Sequence, residues 1–354
     1  MTLNPVQTLK SHAVALGLVA LFLLIGVWLM MSAETTINKR LLMVPHIKVS
    51  LENLSAPAGV DAFSPSVDGL AGNAAEQPAD IREEALSTAP LGELTEKGPF
   101  GILPVISADG REPWRIYARP FTSAQANRPQ MSVVLTGLGL QPELLTYAIR
   151  KLPANVTFSL SPYAPGLQSK MDAIRSNGHE VLIEAPLETL TPSTVDQGTY
   201  EMKVAYDATE NLDRLKWVLS RGQGFVGVVN LLGDKFIRFE QSLKPVLSEL
   251  ANRGILFIDN GQFSTSETTT VSETTSLKFL KLYSALDEEL LPAKVETELA
   301  FASEQAVTEG VVIVHARATP MTIDTLVKWV AGIKARNIEL VPVSHHAREK
   351  YPAE

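Results

Sequence analysis

Three residues at the ends of short apolar runs are of types that do acid–base or metal chemistry. Glu184 closes Val181–Ile183, Asp259 closes Ile255–Ile258, and His315 closes Val311–Val314. Two carboxylates and one imidazole are an acceptable ligand set for a divalent cation, and each alone can carry a proton. Thr136, Tyr163, Asn230, Asp287 and Ser344 stand at or just past the ends of similar runs, and Glu188 follows Pro186. If those runs are parallel strands, their carboxyl ends gather these side chains into one polar cleft. Strands end in polar loops in any fold, however, so the set defines a candidate cleft and not a motif. Other polar groups read as structural or solvated. His179 follows the helix-capping Gly178 and opens a strand, His345 and His346 fall in a closing loop open to water, and the threonine-rich Ser264–Ser276 is a polar connection.

The elements that would position the cleft are legible from periodicity. Short β-rich runs at Ser132–Leu135, Val156–Leu160, Glu180–Ile183, Phe225–Val229, Ile255–Ile258, Leu282–Ala285, Val311–Val314 and Glu339–Val341 alternate with helical patterns. Those patterns cover Pro142–Lys151, Leu167–Ser176, Asn211–Arg221, Gln241–Asn252, Ala293–Thr308 and Ile323–Ala335, with spacing of three and four as in Leu243, Val246, Leu247 and Leu250. Gly178 and Gly254 follow two of the helices as C-caps. Continuous apolar strands alternating with helices predict a parallel sheet covered on both faces. The count predicts an α/β fold, a distorted (β/α)7-8 barrel, in preference to an open doubly wound sheet. A nucleotide-binding turn is poorly supported, because Thr136–Leu140 (TGLGL) lacks the full glycine spacing. Before the barrel, Phe100–Pro120 reads as a hairpin clasp turning at Asp109-Gly110.

Residues Ala13–Met31 contain no charge and no proline, which matches the length of a membrane-spanning helix. Trp28 sits near its end, and Ser32-Ala33 make a poor cleavage site, so an uncleaved anchor is preferred to a signal peptide. Lys10 on one side and Lys39 and Arg40 on the other leave the orientation undecided. The expected organisation is a short segment 1–12, an anchor 13–31, an Ala/Pro/Gly-rich linker 32–97 and a globular domain 98–354. A net charge of -8 argues against a nucleic-acid partner, and 0 Cys excludes thiolate catalysis and thiolate metal sites.

Several segments, in order, resemble the divergent polysaccharide deacetylase family: GREPWRIYARPF (110–121), VVLTGLGL (133–140), FSLSPYAP (158–165), NGHEVLIEAPLE (177–188), GFVGVVNLLGDKF (224–236), RGILFIDN (253–260) and VPVS (341–344). The resemblance covers residues from about 98 to 344. It implies a distorted β/α barrel, export behind an N-terminal apolar segment, and deacetylation of envelope polysaccharide by metal-activated water. It also implies a single-pass inner-membrane protein whose domain faces away from the cytoplasm. Against that pattern, Thr136-Gly137 replaces an Asp-Asp pair, Glu184 stands where a histidine often precedes Pro-x-Glu, and Leu231 replaces an imidazole. A hydroxyl, a glycine and a leucine do not hold zinc.

Three functions follow as expectations. The first is a catalytically degenerate homologue, without a cofactor, that binds an envelope glycan or envelope protein through Thr136, Tyr163, Glu188, Asn230 and Asp287. The second is an active hydrolase in which Glu184, Asp259 and His315 rebuild a site for a divalent metal such as zinc. The third is a non-catalytic envelope scaffold tethered by Ala13–Met31.

Overall fold

The computed structural model describes residues 85–123, 128–190, 197–260 and 266–352. The expected anchor and most of the linker, up to residue 84, lie outside these residues. Among the described residues no helix is long and apolar enough to cross a membrane.

A two-stranded antiparallel hairpin comes first, β1 (Thr95–Gly98) and β2 (Gly101–Pro104). The main sheet follows: β3 (Gln130–Leu138), β4 (Thr157–Leu160), β5 (Val181–Glu184), β6 (Gly227–Asn230), β7 (Leu256–Asp259), β8 (Phe279–Lys281), β9 (Ser284–Ala285), β10 (Val311–Arg317) and β11 (Glu339–Leu340). Its order is β8-β7-β6-β5-β4-β3-β10-β9, with β11 added beside the start of β3, and each of these pairings is parallel. Strands β8 and β9 are two halves of one extended segment. Leu282 N donates to Asp259 O (2.7 Å), and Tyr283 N donates to Ile313 O (2.6 Å). A single stretch therefore serves both edges of the curved sheet, giving an α/β barrel of parallel strands.

Alternation along the strands builds two apolar layers. Leu135, Phe158, Ile183, Val228, Phe257 and Val314 pack outward beneath the helices. Val134, Leu182, Val229, Leu256, Ile258 and Ile313 fill the interior with Leu94, Trp114, Tyr117, Val343 and Ala347. The last five come from the segments before β3 and after β11 and stop the barrel at the amino ends of its strands. Buried Glu180 fixes this plug: it accepts Arg119 N (2.7 Å), Ser344 N (3.2 Å) and the Ser344 hydroxyl. Arg175, 2% exposed, ties in the chain before the hairpin by donating to Ser87 O, Tyr117 O and Gly224 O. The domain is thus already packed at Leu86, ahead of the expected boundary at 98.

Several expectations are corrected. The hairpin turns between Gly98 and Gly101, whereas Asp109-Gly110 leads into the helix Pro113–Tyr117. Most of the expected threonine-rich loop is the helix Ser266–Thr275. Its Thr268, Val271 and Ser272 form a buried stripe at helical spacing, and Thr274 and Thr275 return their hydroxyls to Val271 O. His345 and His346 do not lie in a solvated loop. They belong to the helix Val343–Lys350 and are 9% and 4% exposed, because that helix forms the plug. Ser344, on the same helix, is therefore at the opposite end of the barrel from the candidate cleft.

Candidate cleft at the strand ends

Glu184 ends β5 on the interior face, one alternation beyond Leu182. Its Oε1 accepts two hydrogen bonds, from Gly137 N (2.7 Å) and from Ser159 Oγ (3.1 Å). The first depends on local backbone. Pairing between β3 and β4 shifts register between Leu135 and Leu138, and Gly137 takes φ +76° there, which turns its N–H toward β5. Glu184 keeps a partial opening to solvent, but protein surrounds its carboxyl. Burial pushes the carboxyl up to about 7, and the two donors offset only part of that rise.

His315 lies on β10 one alternation beyond Ile313, so it also faces the interior. It is 9% exposed, and its Nε2 has no hydrogen-bond partner. Burial, reinforced by the Arg317 charge, drives the ring down to about 4, so it is neutral at pH 7. Thr136 pairs in register with Arg317 and donates to Ala316 O (3.1 Å). Asp287 accepts Arg317 N (2.8 Å), and burial raises its carboxyl.

Asp259 and Asn230 belong elsewhere. They are register partners on β7 and β6, both fully buried, and they follow Phe257 and Val228 in the outward series. Alternation places both on the helix side of the sheet, away from the face that Glu184 and His315 share. Glu188 pins a loop: Lys235 Nζ (2.7 Å) and Val204 N (2.8 Å) both donate to it. Burial opposes its ionisation, but Lys235, the Val204 N–H and Lys203 prevail and hold the carboxyl below its usual range. Tyr163 accepts Tyr200 N (2.9 Å) and packs 5.1 Å from Trp217, within a stack where Tyr200 and Trp217 lie 3.8 Å apart. His179 Nδ1 donates to Val156 O (2.8 Å) and the ring stacks on Phe158, a structural place.

Two contributors were not anticipated, Ser159 and the Gly137 N–H. The signal for Ser159 was present, since a hydroxyl alternates with apolar residues in a strand that is otherwise hydrophobic. The residues present do not fit a catalytic metal. Leu231 packs against the interior apolar cluster, and Gly137 offers Glu184 a donor where a ligand oxygen would be needed. Among the described residues no three His, Asp or Glu side chains gather as a cation site requires.

The barrel agrees with the comparisons with known proteins. The model of the divergent polysaccharide deacetylase family matches residues 133–347, more than half of the chain, and the chain belongs to that family. It is 20% identical over 215 residues to the uncharacterized protein YibQ of Escherichia coli, covering 61% of this chain and 66% of YibQ, just under two thirds of that length. An uncharacterized protein of Haemophilus influenzae is 19% identical over 58% of this chain and 72% of its own. The crystal structure of an uncharacterized protein of Agrobacterium tumefaciens superposes with a TM-score of 0.66 at 32% identity. That superposition covers 70% of this chain and 99% of the other.

Proposed function

We propose that this chain is a catalytically degenerate member of its family that binds an N-acetylated envelope glycan in the strand-end cleft. The observation that carries the reading is the capture of Glu184 by Gly137 N–H and Ser159 Oγ. A carboxyl so held is a hydrogen-bonding group for sugar hydroxyls and acetamido N–H, and among the described residues no three His, Asp or Glu side chains gather to share a cation. The uncharged run Ala13–Met31 supports tethering of the domain to the inner membrane, with the cleft on the extracytoplasmic side.

The test uses the purified full chain, equilibrated with zinc and then desalted. Elemental analysis is expected to find no stoichiometric divalent ion, and N-acetylglucosamine oligomers are expected to bind without releasing acetate. A stoichiometric ion, or acetate turnover, overturns the reading. Hydrolysis by a rearranged site is the second reading, and it draws on one observation. A carboxyl at about 7 is partly protonated at neutral pH, as a general acid must be. Acetate release that vanishes in Glu184→Ala would establish it.

A further inference from the structure

Two side chains converge on Gly137 from opposite flanks of β3. Glu184 reaches it from β5, across β4, and accepts its N–H (2.7 Å). Arg317 ends β10, the strand on the other flank, as the register partner of Thr136. Alternation runs from Ile313 through His315 to Arg317, so this side chain takes the interior face as well. Its Cγ comes within 3.7 Å of the point a Cβ on Gly137 would occupy, and beyond the chain neighbours no other atom lies within 4 Å of that point. Gly137 itself is exposed. An open glycine floor therefore separates a carboxyl from a guanidinium on one face of the sheet.

Both polar groups have capacity left. Among the described residues no hydrogen bond or ion pair engages the exposed Arg317 guanidinium. Asp287 accepts the Arg317 backbone N–H (2.8 Å) and is 4% exposed, so it presents little charge at the mouth. Glu184 gives Oε1 to both of its donors, while Oε2 bonds to none of the described residues and keeps some exposure. The other groups on this face do little to repel an anion, because burial leaves Glu184 partly protonated at pH 7 and His315 neutral. An uncompensated guanidinium among weakly charged neighbours is a receptor for a planar anion, and its fork of N–H donors matches a carboxylate.

We propose that the cleft selects an N-acetylated amino sugar that carries a carboxylate. The sugar lies over Gly137, with a hydroxyl or its acetamido N–H on Glu184 Oε2 and its carboxylate on Arg317. This assignment names the ligand class of the strand-end cleft and rests on the glycan reading given above.

Calorimetric titration of the full chain tests the proposal with two ligands. One is the disaccharide of N-acetylglucosamine and N-acetylmuramic acid, and the other is the same disaccharide with its lactyl carboxyl converted to the primary amide. The acid is expected to bind about tenfold more tightly, the ratio one exposed charge-assisted contact supplies, and added salt is expected to narrow the ratio. Arg317→Gln is expected to bring the two to equal affinity, and Arg317→Glu to reverse their order. Equal affinities in the parent protein, which needs no variant to fold, overturn the proposal and leave the glycan reading standing. Binding of N-acetylglucosamine oligomers without either disaccharide does the same. If none of these sugars binds, both fall together. A preference for the acid that survives Arg317→Gln in a folded variant also overturns the proposal.

Discussion

Replacing Glu184 with Gln separates a lone buried carboxyl from a metal ligand through the pH dependence of stability. The substitution keeps an oxygen acceptor for Gly137 N–H and Ser159 Oγ and removes the charge. Burial holds the native carboxyl at about 7, against 4.5 in the unfolded chain. The folded state thus binds more protons than the unfolded state between those values. The contribution to stability is fully present below about 4.5 and is lost as pH rises to about 7. At about 1.4 kcal/mol per pKa unit, the ionised form costs roughly 3–3.5 kcal/mol. Urea unfolding of parent and variant is expected to give nearly equal stabilities at pH 4.5. At pH 8.5 the variant is expected to be more stable by about 3 kcal/mol. A difference that does not change with pH refutes the reasoning. A variant that is less stable at pH 8.5 does so more strongly, because a carboxylate paired with a cation would be stabilised by ionising.

Three other outcomes test the frame around the site. Glu180→Ala strands three donors at the barrel plug and is expected to cost about 3 kcal/mol or more, with faster amide exchange in Val343–Lys350. Arg175→Ala removes the bonds to Ser87, Tyr117 and Gly224, and limited proteolysis is expected to cut the chain near Ser87 while the barrel stays intact. Burial lowers His179 and His315 to about 4 and His346 to about 3, so all three fold neutral and charge on unfolding below pH 6.5. Their contribution is present above 6.5 and is lost toward 4, with the raised acids Glu184, Glu180 and Asp287 opposing it. Each histidine contributes a fall of up to about 1.4 kcal/mol per pH unit below 6.5, so His179→Phe is expected to flatten the acid limb of stability measured by denaturant titration relative to the parent.

The barrel was legible because strands buried on both faces must be apolar throughout, and such runs stand out between amphipathic helices. All eight expected strand segments are present in the sheet. Phe279–Lys281 was missed because it flanks the expected Leu282–Ala285 strand and belongs to the same extended segment. The helix Ser266–Thr275 was hidden by composition, since threonine disfavours helices until a buried stripe and backbone-directed hydroxyls offset that preference. Burial of His345 and His346 was hidden for another reason. Their helix looks polar by itself, and only the barrel mouth that it fills makes its inner face an interior.

The candidate site divides along the same line between local and non-local information. Position at a strand end is written in the sequence, and the structure places Glu184, His315 and Thr136 at one end of the barrel. The face of the strand is also written there, in the alternation of Phe257, Ile258 and Asp259, yet a continuous apolar run conceals which alternate points inward. Only the packed layers show that Asp259 and Asn230 lie on the helix side. What no local pattern holds is the partner of Glu184, because Gly137 is 47 residues away and donates a backbone hydrogen. That bond exists because a side chain is absent: a glycine at φ +76° turns its amide where an acidic side chain in this place would bring oxygen. The glycine conformation and the hydrogen-bonded carboxyl of Glu184 are therefore one structural feature. An acid placed at Gly137 would set a carboxylate against Glu184 on a strained backbone.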